Sequence, residues 1–139
     1  GVQLRHIGEL EQVEPALQRK VREAIELTRN NDRLILNVAF NYGGRAEIVR
    51  ALQEIIREGY SPEAVTEDVV SQHLYTCTVP DPDLIIRTSG ELRLSNFLIW
   101  QSAYAEYYFP DVFWPDFNRE EFYKALVHYV ERDRRYGKV

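Results

Sequence analysis

The segment that most constrains the fold is the nearly continuous apolar run of residues 34–40, which only Asn37 interrupts. Such a run is typical of a strand that is buried on both faces, because neither face carries the polar side chains that water would require. A Gly-rich turn at residues 41–44 follows, and then a helix with apolar residues on one side that ends at Gly59. The run therefore predicts a strand–turn–helix unit of a parallel α/β sheet.

Strands and helices alternate along the rest of the chain. No repeat, low-complexity stretch or flexible linker interrupts the pattern, so residues 1–139 are predicted to form one α/β domain with a mainly parallel sheet covered by helices. The remaining predicted elements are an edge strand at 2–7, a helix from Pro15 to a turn at 30–32, a helix from Thr66 through Leu74, a buried strand at 84–86, a helix at 96–103 capped by Ser95, a strand at 104–109, and a helix capped by Asn118 that ends near Arg132.

Charge and composition exclude several classes of protein. The chain has 17 Lys and Arg against 22 Asp and Glu, a net charge of −5, which argues against a protein that coats nucleic acid. It leaves room for a small anion held by a few arginines. Cys77 is the single cysteine, so no internal disulfide is possible, and the apolar stretches are too short to span a membrane. These features predict a cytoplasmic protein.

Two loops have the composition of an anion site at the carboxyl ends of predicted strands. The first is residues 41–45, where two glycines and a helix start offer backbone N–H groups; the alternative is an ordinary strand-to-helix turn. The second begins at Arg87, which ends a buried strand, and continues to Arg93 and Ser95. Two guanidinium groups and a hydroxyl suit a pyrophosphate. The alternative is that Arg87 pairs with Glu91 or Asp83 as a structural ion pair.

Glu106 lies among aromatic residues on a predicted strand. A carboxylate there is either a solvated edge residue or an oxygen ligand for Mg²⁺, which binds carboxylates together with substrate phosphates. On the residues alone, the solvated interpretation is favoured.

The motifs around these residues closely resemble those of the cis-prenyltransferase family, whose best-known bacterial member is undecaprenyl pyrophosphate synthase. The resemblance covers nearly the whole chain. It rests on Asn41-Tyr42-Gly43-Gly44-Arg45-Ala46-Glu47-Ile48, Asp83-Leu84-Ile85-Ile86-Arg87-Thr88-Ser89-Gly90-Glu91, Arg93-Leu94-Ser95-Asn96-Phe97-Leu98-Ile99-Trp100-Gln101, Tyr104-Ala105-Glu106, Trp114-Pro115-Asp116-Phe117 and Arg135-Tyr136-Gly137.

The resemblance implies an enzyme that condenses isopentenyl pyrophosphate with an allylic pyrophosphate into a cis-polyprenyl pyrophosphate. It also implies Mg²⁺ as cofactor, a homodimer, and work near a membrane that receives the lipid product. Isopentenyl pyrophosphate would be held by Arg87, Arg93, Leu94 and Ser95. Glu106 would contribute to the magnesium site across the dimer, and Arg135 and Gly137 would lie beside the partner's active site.

One departure from the family concerns the amino end. Members begin with a strand and a phosphate-binding loop whose Asp binds magnesium, and an Asn further along is assigned to proton removal; neither pattern occurs here. We therefore expect residues 1–139 to be the carboxyl-terminal part of such a domain, without its amino-terminal strands, without catalytic residues of its own and inactive alone. The alternatives are a non-catalytic accessory subunit of a heteromeric prenyltransferase and an unrelated phosphate-binding α/β module.

Overall fold

The computed structural model describes residues 1–132, and the chain divides into two compact units, residues 1–79 and the residues from Pro80 onward. The first unit contains β1 (Val2–Ile7), α1 (Pro15–Thr28), β2 (Leu34–Ala39), α2 (Gly44–Arg57) and α3 (Glu67–Gln72), with 3-10 helices at Leu10–Gln12 and Pro62–Ala64. The second contains β3 (Leu84–Ile86), β4 (Glu106–Tyr108), a 3-10 helix at Trp114–Asp116 and α4 (Arg119–Val130).

The described strands pair in two parallel ladders. β1 pairs with β2 so that Val2 lies opposite Leu34, and β3 pairs with β4 so that Leu84 lies opposite Glu106. Parallel pairing, with α1 between β1 and β2 and further helices along the chain, confirms the predicted α/β class.

Three of the predicted helix starts are confirmed by their local chemistry. Pro15 occupies the first turn of α1, where its missing N–H costs no hydrogen bond. The Thr66 side chain caps α3 by accepting a hydrogen bond from the Val69 N–H at 3.2 Å. Asn118 Oδ1 caps α4 by accepting from the first backbone N–H groups, at 2.9 Å from the nitrogen of Glu120. Each cap satisfies donors that the helix itself leaves unpaired.

The expectation that residues 34–40 are buried on both faces is wrong for the described part of the chain. Leu34 is 58% exposed and Leu36 is 47% exposed, and no residue of β2 is buried. The reason lies in the packing, because α1 packs against β1, and β1 is the single strand paired with β2 within residues 1–132.

The predicted helix at 96–103 is also wrong. Ser95, Asn96 and Leu98 have φ angles of +48°, +65° and +45°, in the left-handed region that cannot continue a right-handed helix. The segment is instead a series of turns. No helix follows Ser95 for it to cap. Its Oγ instead accepts a hydrogen bond from Arg87 Nη1 at 2.8 Å.

A small apolar core lies in each unit. The core residues are Ile7, Leu10, Ala51, Ile55, Val70 and Leu74 in the first unit and Ile85 and Ala125 in the second.

Among residues 1–132, none of the helices combines the length and the hydropathy that a membrane span needs.

The buried carboxylate of Glu47, which is 1% exposed, organises the loops of the first unit. It accepts hydrogen bonds from the Tyr42 hydroxyl at 2.6 Å and from the Tyr75 backbone N–H at 2.8 Å. The Tyr75 hydroxyl donates to Glu9 at 2.5 Å, and the Arg50 guanidinium lies 4.0 Å above the Tyr75 ring. Burial, followed by the hydrogen bond to Glu9, raises the pKa of Tyr75 well above its usual range, so the Tyr75 hydroxyl keeps the proton that it donates to Glu9 at neutral pH.

The Glu47 network predicts a large loss of stability for Glu47→Gln. The side-chain NH2 group of glutamine is a donor, and it would face either the Tyr42 hydroxyl or the Tyr75 N–H, which both donate to Glu47. Two donors cannot pair, so one buried hydrogen bond is lost. We expect the free energy of unfolding to fall by about 1–3 kcal/mol, measured by urea denaturation. The matched control is Glu23→Gln on the exposed face of α1, for which a change within about 0.5 kcal/mol is expected; equal effects would contradict the role of Glu47.

His73 predicts a pH-dependent term in stability. Its Nδ1 lies 2.6 Å from the Val69 carbonyl oxygen and its Nε2 lies 3.1 Å from Glu58 Oε2, and these two hydrogen bonds raise the pKa of His73 above 6.5. Only the protonated ring donates from both nitrogens. The stabilisation is therefore complete below pH 6.5 and is lost as the pH rises through the folded-state pKa.

The measurement is the free energy of unfolding between about pH 6 and pH 9 for the wild type and His73→Gln. We expect the wild type to lose more stability than the variant as the pH rises through this window. Parallel pH profiles for the two proteins would contradict the assignment.

Candidate functional site

Arg87 stands at the carboxyl end of β3, the edge of a parallel ladder where ligands of α/β proteins bind. Its backbone N–H donates to the Tyr108 carbonyl at 3.0 Å, so the ladder with β4 fixes the position of its Cα atom. β3 ends there because the chain turns back through Ser89 and Gly90, both with positive φ.

The Arg87 side chain shapes the segment that follows this turn. Its Nη1 donates to the backbone carbonyl oxygen of Arg93 and to Ser95 Oγ at 2.8 Å. Arginine has five N–H donors in a rigid fork, and these two hydrogen bonds use one nitrogen of that fork. The guanidinium thus orders residues 93–95 around itself while keeping the donor geometry that a phosphate requires.

A pocket of about 250 Å³ lies at this edge of the ladder. The four described residues that are predicted to bind substrate all belong to its lining, so Arg87 and Arg93 border the same pocket. Its lining is Arg87, Arg93, Leu94 and Ser95, together with the apolar residues Ile85, Ile86 and Phe97. A charged mouth beside an apolar wall suits a ligand with a pyrophosphate head and a short hydrocarbon chain.

Glu91 forms an ion pair with the guanidinium of Arg93. The alternative drawn from the sequence, an ion pair between Glu91 and Arg87, is therefore wrong. The two side chains are 40% and 63% exposed, and exposed ion pairs of this kind contribute little net stability. An entering pyrophosphate can therefore replace Glu91 on Arg93 at small cost.

Glu106 lies at the opposite end of the same ladder. It begins β4 and pairs with Leu84 at the start of β3, so its Cα atom is about 10 Å from the level of Arg87 along the strands. Its carboxylate is 25% exposed and lies 3.8 Å from the Nε atom of Arg132. Within one chain, Glu106 and the Arg87 pocket are therefore at different ends of the β3–β4 ladder.

The residues fit a magnesium ion only as part of a larger site. In residues 1–132, no three His, Cys, Asp or Glu side chains are grouped closely enough to hold a metal. Mg²⁺ often uses one or two carboxylates and completes its coordination with substrate phosphates and water. Glu106 can supply one such oxygen ligand if it is released from Arg132.

The first candidate anion loop is held by contacts within the protein. Asn41 donates to the Glu9 carbonyl oxygen at 2.8 Å, and the Tyr42 hydroxyl donates to Glu47. These contacts favour the structural interpretation of residues 41–45. Arg135 and Gly137, predicted to lie beside a partner's active site, are outside the described residues.

Neither Phe97 nor Arg132 is predicted from the sequence as a site residue. Phe97 follows Ser95 closely, and this proximity is the one signal that indicates its place in the pocket. For Arg132 the sequence carries no signal, because its contact with Glu106 joins positions that are far apart in the chain.

Comparison with known proteins supports one family. Residues 1–137 match the family model described as putative undecaprenyl diphosphate synthase. An isoprenyl transferase of Heliobacterium mobile is 54% identical across the whole chain, and one of Streptococcus thermophilus is 51% identical. The chain spans 55% and 59% of the lengths of these two relatives.

Solved structures of related enzymes have the same fold. Lavandulyl diphosphate synthase from Lavandula x intermedia, determined in complex with dimethylallyl diphosphate, superposes with a TM-score of 0.93 at 34% identity over 99% of this chain and 61% of its own. A probable undecaprenyl diphosphate synthase from Campylobacter jejuni superposes with a TM-score of 0.88 at 36% identity, over 99% of this chain and 64% of its own. The chain belongs to the undecaprenyl diphosphate synthase family of prenyltransferases.

Proposed function

We propose that this chain supplies the isopentenyl pyrophosphate subsite of a cis-prenyltransferase, which joins isopentenyl pyrophosphate to an allylic pyrophosphate. The observation that carries the proposal is that Arg87, Arg93, Leu94 and Ser95 line the same pocket. The two guanidinium groups and the hydroxyl bind the pyrophosphate of the incoming substrate, and the apolar wall accepts its five-carbon chain. Holding this substrate in line with the allylic carbon contributes much of the rate acceleration.

Condensation also requires that the pyrophosphate leaving the allylic substrate be stabilised as positive charge develops on carbon. Mg²⁺ would supply this stabilisation, with Glu106 as one oxygen ligand. The chain matches 55–59% of the length of the relatives compared. We propose that prenyl transfer needs groups beyond residues 1–139, and that the complete enzyme is cytoplasmic and works beside the membrane that receives its product.

We further propose a homodimer in which Glu106 acts at the partner's pocket. The support is the ladder register, which separates Glu106 from Arg87 within one chain. A two-fold axis places the same surface of both subunits at the interface, so one such contact creates two equivalent composite sites.

The subsite predicts a specific loss of affinity for Arg93→Ala. Removing a charge-assisted contact of about 1.5–3 kcal/mol should raise the KM for isopentenyl pyrophosphate by about 10- to 150-fold and leave the KM for the allylic substrate nearly unchanged. The measurement is steady-state kinetics of the full-length gene product with Mg²⁺. Isothermal titration calorimetry with isopentenyl pyrophosphate and with ATP tests ligand class independently.

The matched control for this variant is Arg119→Ala. This exposed arginine of the second unit contacts Tyr123, and its removal should leave both KM values unchanged. An unaltered KM in Arg93→Ala, or tighter binding of ATP than of isopentenyl pyrophosphate by the wild type, would contradict the subsite. If this chain were an accessory subunit, the activity of its catalytic partner would be unchanged by Arg93→Ala, so this result would favour that alternative.

The shared site predicts complementation between two inactive variants. In a mixture of Arg87→Ala and Glu106→Ala subunits, half of the dimers are mixed and one of their two sites is intact, so about a quarter of the wild-type activity should return. The control mixes Arg87→Ala with Arg93→Ala, which damages every pocket and should restore nothing. Activity that remains absent in the first mixture, after mass spectrometry shows that subunits have exchanged, would contradict the shared site.

A further inference from the structure

The turn that joins Arg87 to Arg93 lies against residues 110–112, the segment that follows β4. The Gly90 N–H donates to the Pro110 carbonyl at 2.9 Å and the Ser89 N–H donates to the Val112 carbonyl at 2.8 Å. The bond from Arg87 to Tyr108 lies at the end of the β3–β4 ladder, and the two further bonds attach the turn to the segment that follows β4. Since Pro110 is buried, this second segment has a fixed position from which to hold the turn.

Gly90 allows the approach of the two segments. Its φ is +64°, and a Cβ atom built on it would lie 2.7 Å from Asp111 Oδ1, closer than real carbon atoms come. The preceding residue, Ser89, is also left-handed, with φ +74°. The left-handed backbone therefore favours glycine at this position, and a Cβ atom would also have to displace the exposed Asp111 side chain.

We propose that residues 110–112 clamp the turn at 88–90, and that Gly90 is a positioning residue that, together with the hydrogen bond from the Arg87 guanidinium to the Arg93 carbonyl oxygen, sets the separation of Arg87 and Arg93. Gly90 does not touch the ligand in this assignment. It acts through the path of the chain between the two arginines. The inference rests on the proposed pyrophosphate subsite and identifies what holds that subsite in shape.

The clamp matters because the two guanidinium groups must reach one pyrophosphate together. Arg87 is fixed by the ladder, whereas Arg93 is 63% exposed and reaches the pocket through the turn. A turn that moves away from residues 110–112 carries Arg93 with it, and the pyrophosphate then gains one guanidinium instead of two. Ordering such a loop on binding would reduce the affinity, and preorganisation removes that cost.

The test is Gly90→Ala in the full-length gene product, assayed for the KM of both substrates and for kcat. A methyl group at this position strains the left-handed backbone, so the turn is expected to leave the position that residues 110–112 hold. We expect the KM for isopentenyl pyrophosphate to rise by about tenfold or more, as small displacements of binding groups do. The KM for the allylic substrate should remain near the wild-type value.

Two further variants separate this effect from general damage to the fold. Gly59→Ala introduces the same methyl group at a similar φ of +81°, with no atom within 4 Å of the new carbon, and should leave the KM for isopentenyl pyrophosphate unchanged. Gly90→Asn introduces a residue that adopts the left-handed region more readily than alanine, and it should lose less affinity for isopentenyl pyrophosphate than Gly90→Ala.

The outcomes are distinguishable. A wild-type enzyme that does not bind isopentenyl pyrophosphate refutes the proposed function itself. If the wild type binds it and Gly90→Ala leaves its KM unchanged, only the clamp is refuted. A loss of affinity in Gly90→Asn equal to that in Gly90→Ala, or an equal rise in KM for Gly59→Ala, also overturns the clamp, because the loss would then not follow the backbone strain at position 90.

Discussion

The hydrogen bonds from the Arg87 guanidinium to the Arg93 carbonyl and the Ser95 hydroxyl determine the shape of the candidate site. Residues 95–98 include left-handed positions that no regular element would maintain, and a side chain from the end of β3 fixes their start. Arg87 therefore holds the loop in shape, and in the proposed function it also binds phosphate. For this reason its replacement changes both shape and charge, while replacement of Arg93 is the cleaner probe of charge alone.

How far the sequence predicts the structure depends on how local the cause is. Pro15, Thr66 and Asn118 mark helix starts correctly, because each acts on N–H groups within three residues of itself. The lining of the pocket was also predictable, since Arg87, Arg93 and Ser95 lie within one short loop. Burial of residues 34–40 and the helix at 96–103 were wrong. The first depends on what packs against β2, and the second on an arginine outside the segment that takes the proposed cap, so neither cause is contained in the local pattern.

The register of the β3–β4 ladder explains why the two halves of the proposed chemistry do not meet within one chain. Parallel strands point all their carboxyl ends to one edge. Arg87 follows the end of β3 and Glu106 begins β4, so the pyrophosphate ligands and the proposed metal ligand lie at opposite edges. The proposed homodimer would bring the two groups together without altering the register, and Arg132 gives Glu106 a counter-charge in the single chain.

The two units use the carboxyl ends of their strands in different ways, and the difference lies in the charges that the chain places there. At the ends of β1 and β2, Glu9 and Glu47 accept hydrogen bonds from Tyr75 and Tyr42, so the anions that satisfy the loop donors belong to the protein. At the end of β3, Arg87 and Arg93 line a pocket, and Glu91 contacts Arg93 through an exposed ion pair that water weakens. Two loops with similar sequence signals thus differ in their contacts, because one contains its own anions, whereas the other is proposed to bind an anion from solution.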